Sequence, residues 1–133
     1  MSHISLHCTR CGASHVADMA TLHCRECDSP LEVWYTDVSS TSPGPRPPSW
    51  TGYEILSPIH DASSWVYLGE GNTPCVELPA LGRLLGLQRL YAKLECLNPT
   101  GSFKDRGTAV LMSVAKEAGV TEVVEDSSGN AGA

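Results

Sequence analysis

Two sets of residues in this chain have the types and spacing to do chemistry. The first is Cys8, Cys11, Cys24 and Cys27, which form the pattern C-x2-C-x12-C-x2-C. Two intervening residues let a tight knuckle turn both sulfurs toward one ion, and a hairpin across the longer gap brings the second knuckle opposite the first. Four thiolates complete a tetrahedron around Zn2+ and leave no open position for substrate or water, so such a metal is structural. Disulfides are the other use of paired cysteines, but the start Met1-Ser2-His3-Ile4 lacks the basic and apolar regions of a secretory leader. His3, His7, His15 and His23 lie around the knuckles and read as exposed side chains rather than ligands. Cys75 and Cys96 have no partner at metal spacing, and no role is assigned to them.

The second is Lys104, in the run Leu94-Glu95-Cys96-Leu97-Asn98-Pro99-Thr100-Gly101-Ser102-Phe103-Lys104-Asp105-Arg106-Gly107. It falls in the first turn of an expected helix, just after a glycine-containing loop where backbone can approach a ligand closely. The positive end of a helix dipole disfavours an ammonium, which suits an amine that has to attack a carbonyl. Taken alone, a lysine in such a place is an exposed charge, so its surroundings have to decide.

Three stretches have to position these residues. Residues 1–36 are rich in cysteine and histidine and end in the strand-like Leu31-Glu32-Val33-Trp34-Tyr35, which together suggest a small zinc ribbon. Residues 37–57 shift to Ser, Thr and Pro, and Pro43-Gly44-Pro45-Arg46-Pro47-Pro48 suits a linker or extended strap. Residues 58–133 carry an α/β pattern: a short helix over Pro79 to Leu87, a strand over Leu90 to Leu94, the loop Asn98 to Gly101, then a helix from Ser102 to Ala118. In that helix Phe103, Gly107, Val110, Leu111, Val114 and Ala118 recur at helical spacing, Ser102 and Asp105 resemble a capping box, and Gly119 supplies a stop. Val120 to Glu125 reads as the next strand, and Asp126 to Gly129 as a tight turn into a helix opening near Asn130. Strand, crossover helix and strand imply a parallel sheet covered on both faces, so the chain reads as the truncated start of a larger α/β unit.

Composition excludes several classes of function. Net charge is -6 and the isoelectric point about 5.2, so no basic surface is offered to nucleic acid or anionic lipid. Within residues 1–36 only Arg10 and Arg25 stand against Asp18, Glu26, Asp28 and Glu32. No stretch approaches the roughly 18 apolar residues of a spanning helix, and a cytoplasmic protein is expected.

Asn98 to Gly107 closely resembles the cofactor-lysine motif of the fold-type II pyridoxal-phosphate (PLP) enzymes, which include threonine synthase, serine and threonine dehydratases and tryptophan synthase β. Leu68-Gly69-Glu70-Gly71-Asn72-Thr73-Pro74 and Ser127-Ser128-Gly129-Asn130-Ala131-Gly132 support it, in order and at plausible spacing. With the N-terminal cysteine block, the chain looks most like the threonine synthases that carry a zinc ribbon. The resemblance implies a three-layer parallel-sheet fold, with Lys104 binding PLP covalently and moving protons on the substrate carbons. It also implies that Phe103 packs on the pyridine ring and that Asn130 hydrogen-bonds the cofactor's 3-oxygen. The backbone N–H groups of Ser127, Ser128 and Gly129 would hold the α-carboxylate of a small amino-acid substrate.

The reaction implied is O-phosphohomoserine plus water to threonine plus phosphate, in a parent protein that could be a homo-oligomer. A serine or threonine dehydratase, or a cysteate synthase-like enzyme, is the alternative within the fold. A zinc-ribbon docking module with a non-catalytic remnant is the alternative outside it. Two departures stand out. Cys75 replaces a usual aliphatic residue, and the chain ends before the family's phosphate-binding glycine loop and pyridine-nitrogen partner, so an inactive fragment is expected.

Overall fold

The computed structural model describes residues 4–18, 21–35 and 56–132. The linker expected over 37–57 lies outside the described residues apart from its last two positions, and so does His3.

The N-terminal part is a three-stranded antiparallel sheet in the order β2-β1-β3. Its central strand β1 (Ile4–Cys8) pairs with β2 (Ser14–Val16) on one edge and β3 (Leu31–Tyr35) on the other. Ile4 and Cys8 are the buried residues of β1. Both cysteine knuckles close by backbone bonds: Cys8 N to Ala13 O at 2.9 Å in the first, Asp28 N to Cys24 O at 2.9 Å in the second. Thr9 N and Thr9 Oγ1 both donate to Pro30 O, which ties the first knuckle to the residue before β3.

The second part contains β4 (Cys75–Glu77) and β5 (Tyr91–Lys93), an antiparallel pair with Val76 opposite Ala92. Between them runs α1 (Pro79–Leu84), shorter than the helix expected to Leu87. Proline suits its first turn, and Gly86, at φ 70°, stops it in the left-handed conformation with Leu87 N bonded to Gly82 O at 2.9 Å. A 3-10 turn at Glu95–Leu97 follows β5, and then α2 (Lys104–Glu117).

Helix α2 starts two residues after the expected Ser102. Ser102 Oγ accepts from Lys104 N at 3.1 Å, but the Asp105 carboxylate accepts from Thr100 N at 2.9 Å and from Thr100 Oγ1, so the expected reciprocal box is replaced by two local bonds. Its end agrees with the glycine stop: Gly119 sits at φ 73° and Val120 N bonds Ala115 O at 2.9 Å.

The buried face of α2 differs from the apolar stripe read from the sequence. Asp105, Ala109, Ser113 and Ala115 are buried, whereas Phe103 and Leu111 are 56% and 59% exposed. Small side chains there let residues 59–66 approach closely, and the contact is made by polar groups that an apolar count ignores. Ser113 Oγ donates to Ala109 O at 2.7 Å and accepts from Val66 N at 2.8 Å. One turn on, the Glu117 carboxylate accepts from His60 N at 2.8 Å and from Asp61 N, and Lys116 Nζ donates to Ser63 O at 2.8 Å.

Two expectations fail in the C-terminal stretch. Val120 to Glu125 forms no strand, and Val124 is 98% exposed. A strand exists only through the ladder it shares with neighbours, and no described strand lies beside it; both described sheets are antiparallel rather than parallel. The turn after Asp126 is present, with Gly132 N bonded to Gly129 O at 3.0 Å, but no helix opens near Asn130 among the described residues. Among those residues, no helix is long and apolar enough to cross a membrane.

Ser113 is fully buried with both hydrogen-bonding functions used. Ser113→Ala leaves Val66 N without its acceptor and is expected to destabilise the chain by about 1 to 2 kcal/mol, measured by urea denaturation followed through helical circular dichroism.

Candidate functional site

The two knuckles bring Cys8, Cys11, Cys24 and Cys27 together, with all four Sγ atoms within 4.8 Å of one another. Cys8 and Cys27 sulfurs are 3.4 Å apart and those of Cys11 and Cys24 3.6 Å, and all four are free thiols. Sulfurs held tetrahedrally at about 2.3 Å from zinc lie about 3.8 Å from each other, so the donor set fits that ion. Backbone N–H groups of Arg10 and Cys11 point at Cys8 Sγ, and that of Glu26 at Cys24 Sγ. The Cys11 amide does most to hold the Cys8 thiol down at about 6. At Cys11 the Ala13 amide pulls the same way, but the crowding sulfurs of Cys8, Cys27 and Cys24 push it up to about 12. Four sulfurs this close do not all ionise without a cation among them.

Among the histidines, His23 is exposed as expected, but His7 and His15 are half-buried. His7 stacks on Trp34 with ring centroids 4.2 Å apart, and His15 Nε2 lies 3.4 Å from Cys24 Sγ. Neither joins the four-sulfur set.

Lys104 is the first residue of α2, exposed, with Nζ 4.7 Å from the centroid of the Phe103 ring. The chain has three lysines, Lys93, Lys104 and Lys116. Lys93 Nζ donates to Thr73 O and Lys116 Nζ to Ser63 O. Among the described residues, Lys104 Nζ has no such acceptor; its partner is the face of an aromatic ring.

Behind Lys104 lies a knot of polar side chains that the sequence reading left without a role. Glu95 takes a two-pronged bond from Arg106, Nε to Oε2 at 2.6 Å and Nη2 to Oε1 at 2.9 Å. Thr73 Oγ1 donates to Glu95 Oε1 at 2.7 Å and Asn98 Nδ2 to Oε2 at 2.9 Å. Asn98 Oδ1 then accepts Gly71 N at 2.9 Å. Gly71 sits at φ 91°, and a Cβ there would lie 3.3 Å from Arg106 Nη1. The 68–74 and 94–107 segments are thus bonded into one unit. The available signal was charge: Glu70, Glu95, Asp105 and Arg106 fall inside turn-rich segments, and Glu70 and Asp105 are buried.

The third segment stays apart. Ser127 N donates to Glu125 Oε2 at 2.7 Å and Gly129 N to Ser127 Oγ at 3.1 Å, while Ser127, Ser128, Gly129 and Asn130 are exposed. Among the described residues no hydrogen bond, ion pair or ring contact joins this turn to Lys104 or Phe103.

The family described as "Pyridoxal-phosphate dependent enzyme" matches residues 66–133. Among curated proteins, the threonine synthase of Methanosarcina acetivorans is 38% identical over 133 residues, covering 96% of this chain and 32% of that protein. The threonine synthase of Methanocaldococcus jannaschii is 38% identical over 132 residues, with 95% and 32% covered. That of Synechocystis sp. is 44% identical over 89 residues, with 63% and 23% covered. The chain therefore spans at most about a third of the length of these relatives. No solved structure shows a significant match.

The Arg106 guanidinium, with help from the Thr73 hydroxyl and Asn98, holds the Glu95 carboxyl at about 2 instead of its ordinary 4.5. A carboxyl depressed by folding stabilises the fold above its unfolded value, and that contribution is lost as pH falls through the folded one. Acid unfolding of the chain is therefore expected to include a loss of stability between pH 4.5 and about 2 that Glu95→Gln removes, compared by circular dichroism across that range.

Proposed function

The chain belongs to the pyridoxal-phosphate dependent enzymes, and on that premise we propose that Lys104 is the lysine that holds the cofactor in a threonine synthase-like lyase. The reaction proposed for the whole protein is O-phosphohomoserine plus water to threonine plus phosphate. The observation that carries the reading is the state of the lysine amines: Lys93 and Lys116 are committed to backbone carbonyls, and Lys104 is presented over Phe103 at the start of α2. An uncommitted amine beside a flat ring is what covalent attachment to a flat aldehyde requires. The 38% identical threonine synthases that cover nearly the whole chain favour this substrate class.

When bound, PLP supplies an electron sink for carbanions on the substrate. The protein's own residues do the rest. Lys104 would move protons at the α and β carbons, Phe103 would pack on the pyridine ring, and Asn130 would donate to the 3-oxygen. Ser127, Ser128 and Gly129 would receive the α-carboxylate. Supporting this last role, the Ser127 amide already donates to a carboxylate, that of Glu125. In a parallel three-layer fold these groups would converge with Lys104 from the next crossover.

Cys8, Cys11, Cys24 and Cys27 would hold Zn2+ as the staple of an N-terminal ribbon over residues 1–36, joined by a 37–57 linker to the catalytic part from 58 onward. A sheet of 5, 3 and 5 residues has little core of its own, and a metal site supplies what a core this small lacks.

Two tests follow. Incubation with PLP and borohydride, then peptide mapping by mass spectrometry, should place the reduced adduct on Lys104, and Lys104→Ala should abolish it; equal labelling of Lys93 and Lys116 contradicts the reading. In turnover by the whole protein, threonine and phosphate should appear in equal amounts, whereas keto acid from threonine points to a dehydratase. For the metal, one Zn2+ per chain is expected, released as acid protonates the thiolates and read with a chromogenic chelator; Cys24→Ser should weaken retention at neutral pH.

A further inference from the structure

We propose that Glu95 is a positioning residue for Lys104, acting through its two-pronged pair with Arg106 and its bond to Asn98. The inference rests on the reading of Lys104 as the cofactor lysine. Lys104 and Arg106 are two residues apart on α2, and at 3.6 residues per turn their side chains leave the helix about 200° apart. Drawing Arg106 inward onto Glu95 therefore turns Lys104 outward. Asp105, between them, is buried and holds Thr100 N and Oγ1, so the first turn is fixed on a second side.

Glu95 also governs the approach to that turn. Its carboxylate and its backbone oxygen both accept from Asn98 Nδ2 at 2.9 Å, which leaves Asn98 Oδ1 facing Gly71 N. Gly101, at φ 78°, then carries the chain from this anchored loop to Ser102, whose hydroxyl receives the Lys104 amide. Glu95 thus touches the loop before Lys104 and the residue two beyond it. It makes no contact with Lys104 itself among the described residues. A carboxylate is needed because it alone accepts from Arg106, Thr73 and Asn98 together.

The preference of PLP labelling for Lys104 over Lys93 and Lys116 tests this, measured on the same chain by borohydride trapping and quantitative peptide mapping. Glu95→Gln and Arg106→Lys are each expected to lower that preference about tenfold. The effect should fall on the labelling rate at saturating PLP, with the half-saturating concentration and helical circular dichroism unchanged; mere loosening of the fold would move the latter. A folded variant that keeps the wild-type preference overturns the proposal. Should Glu95→Gln unfold, Thr73→Val, which removes one donor to the same carboxylate and no charge, carries the same two outcomes. If the wild-type chain itself shows no preference for Lys104, the cofactor-lysine reading fails, and the positioning role falls with it.

Discussion

The Glu95–Arg106 pair is the interaction on which the second part of this chain turns. As an isolated ion pair it would contribute little, because its side chains keep 25% and 32% of their exposure and such pairs are screened by water. Its importance is geometric. The guanidinium fork matches the carboxylate at both oxygens, and Thr73 and Asn98 occupy the remaining lone pairs. The 68–74 and 94–107 segments, joined at positions 71, 73, 95, 98 and 106, therefore have one relative arrangement. Gly71 is part of the same constraint, since a side chain there would press on the guanidinium.

Helix α2 transmits that arrangement along its length. Its first turn is set by Arg106 and Asp105, and its last two turns grip residues 60–66 through Ser113, Lys116 and Glu117. Both grips use polar groups on a surface of small residues, so the helix is held without large apolar contacts. The side carrying Phe103 and Leu111 remains exposed, and Lys104 stands at its edge. The cysteine cluster is a separate solution to a separate problem, in which backbone N–H groups and a hairpin gather four sulfurs where three short strands supply little burial.

The gathering of the four cysteines was legible because their spacing constrains the geometry, and the place of Lys104 at a helix start because loop and helix start are local features. Glycine stops were equally legible at Gly119, and less so at Gly86, where left-handed backbone ended α1 three residues earlier than apolar spacing suggested. The buried face of α2 was not legible, because Ser113 and Asp105 are inside for their hydrogen bonds and an apolar count places them outside. Glu95 and Arg106 were read only as part of a motif; their pairing is a contact across a loop, which spacing does not encode. Val120 to Glu125 has the composition of a strand, but strand formation depends on neighbours rather than on the segment itself.

If a single knot around Glu95 presents Lys104, the amides that feed it share one fate. Native-state hydrogen exchange at Gly71 N and Thr100 N, bonded to Asn98 Oδ1 and the Asp105 carboxylate, measures this directly. The account predicts that both are protected, and that Glu95→Gln accelerates both together while Val66 N, held by Ser113 at the far end of α2, keeps its wild-type rate. Exchange at Gly71 and Thr100 that is unprotected in the wild type, or that responds to Glu95→Gln independently, would contradict it.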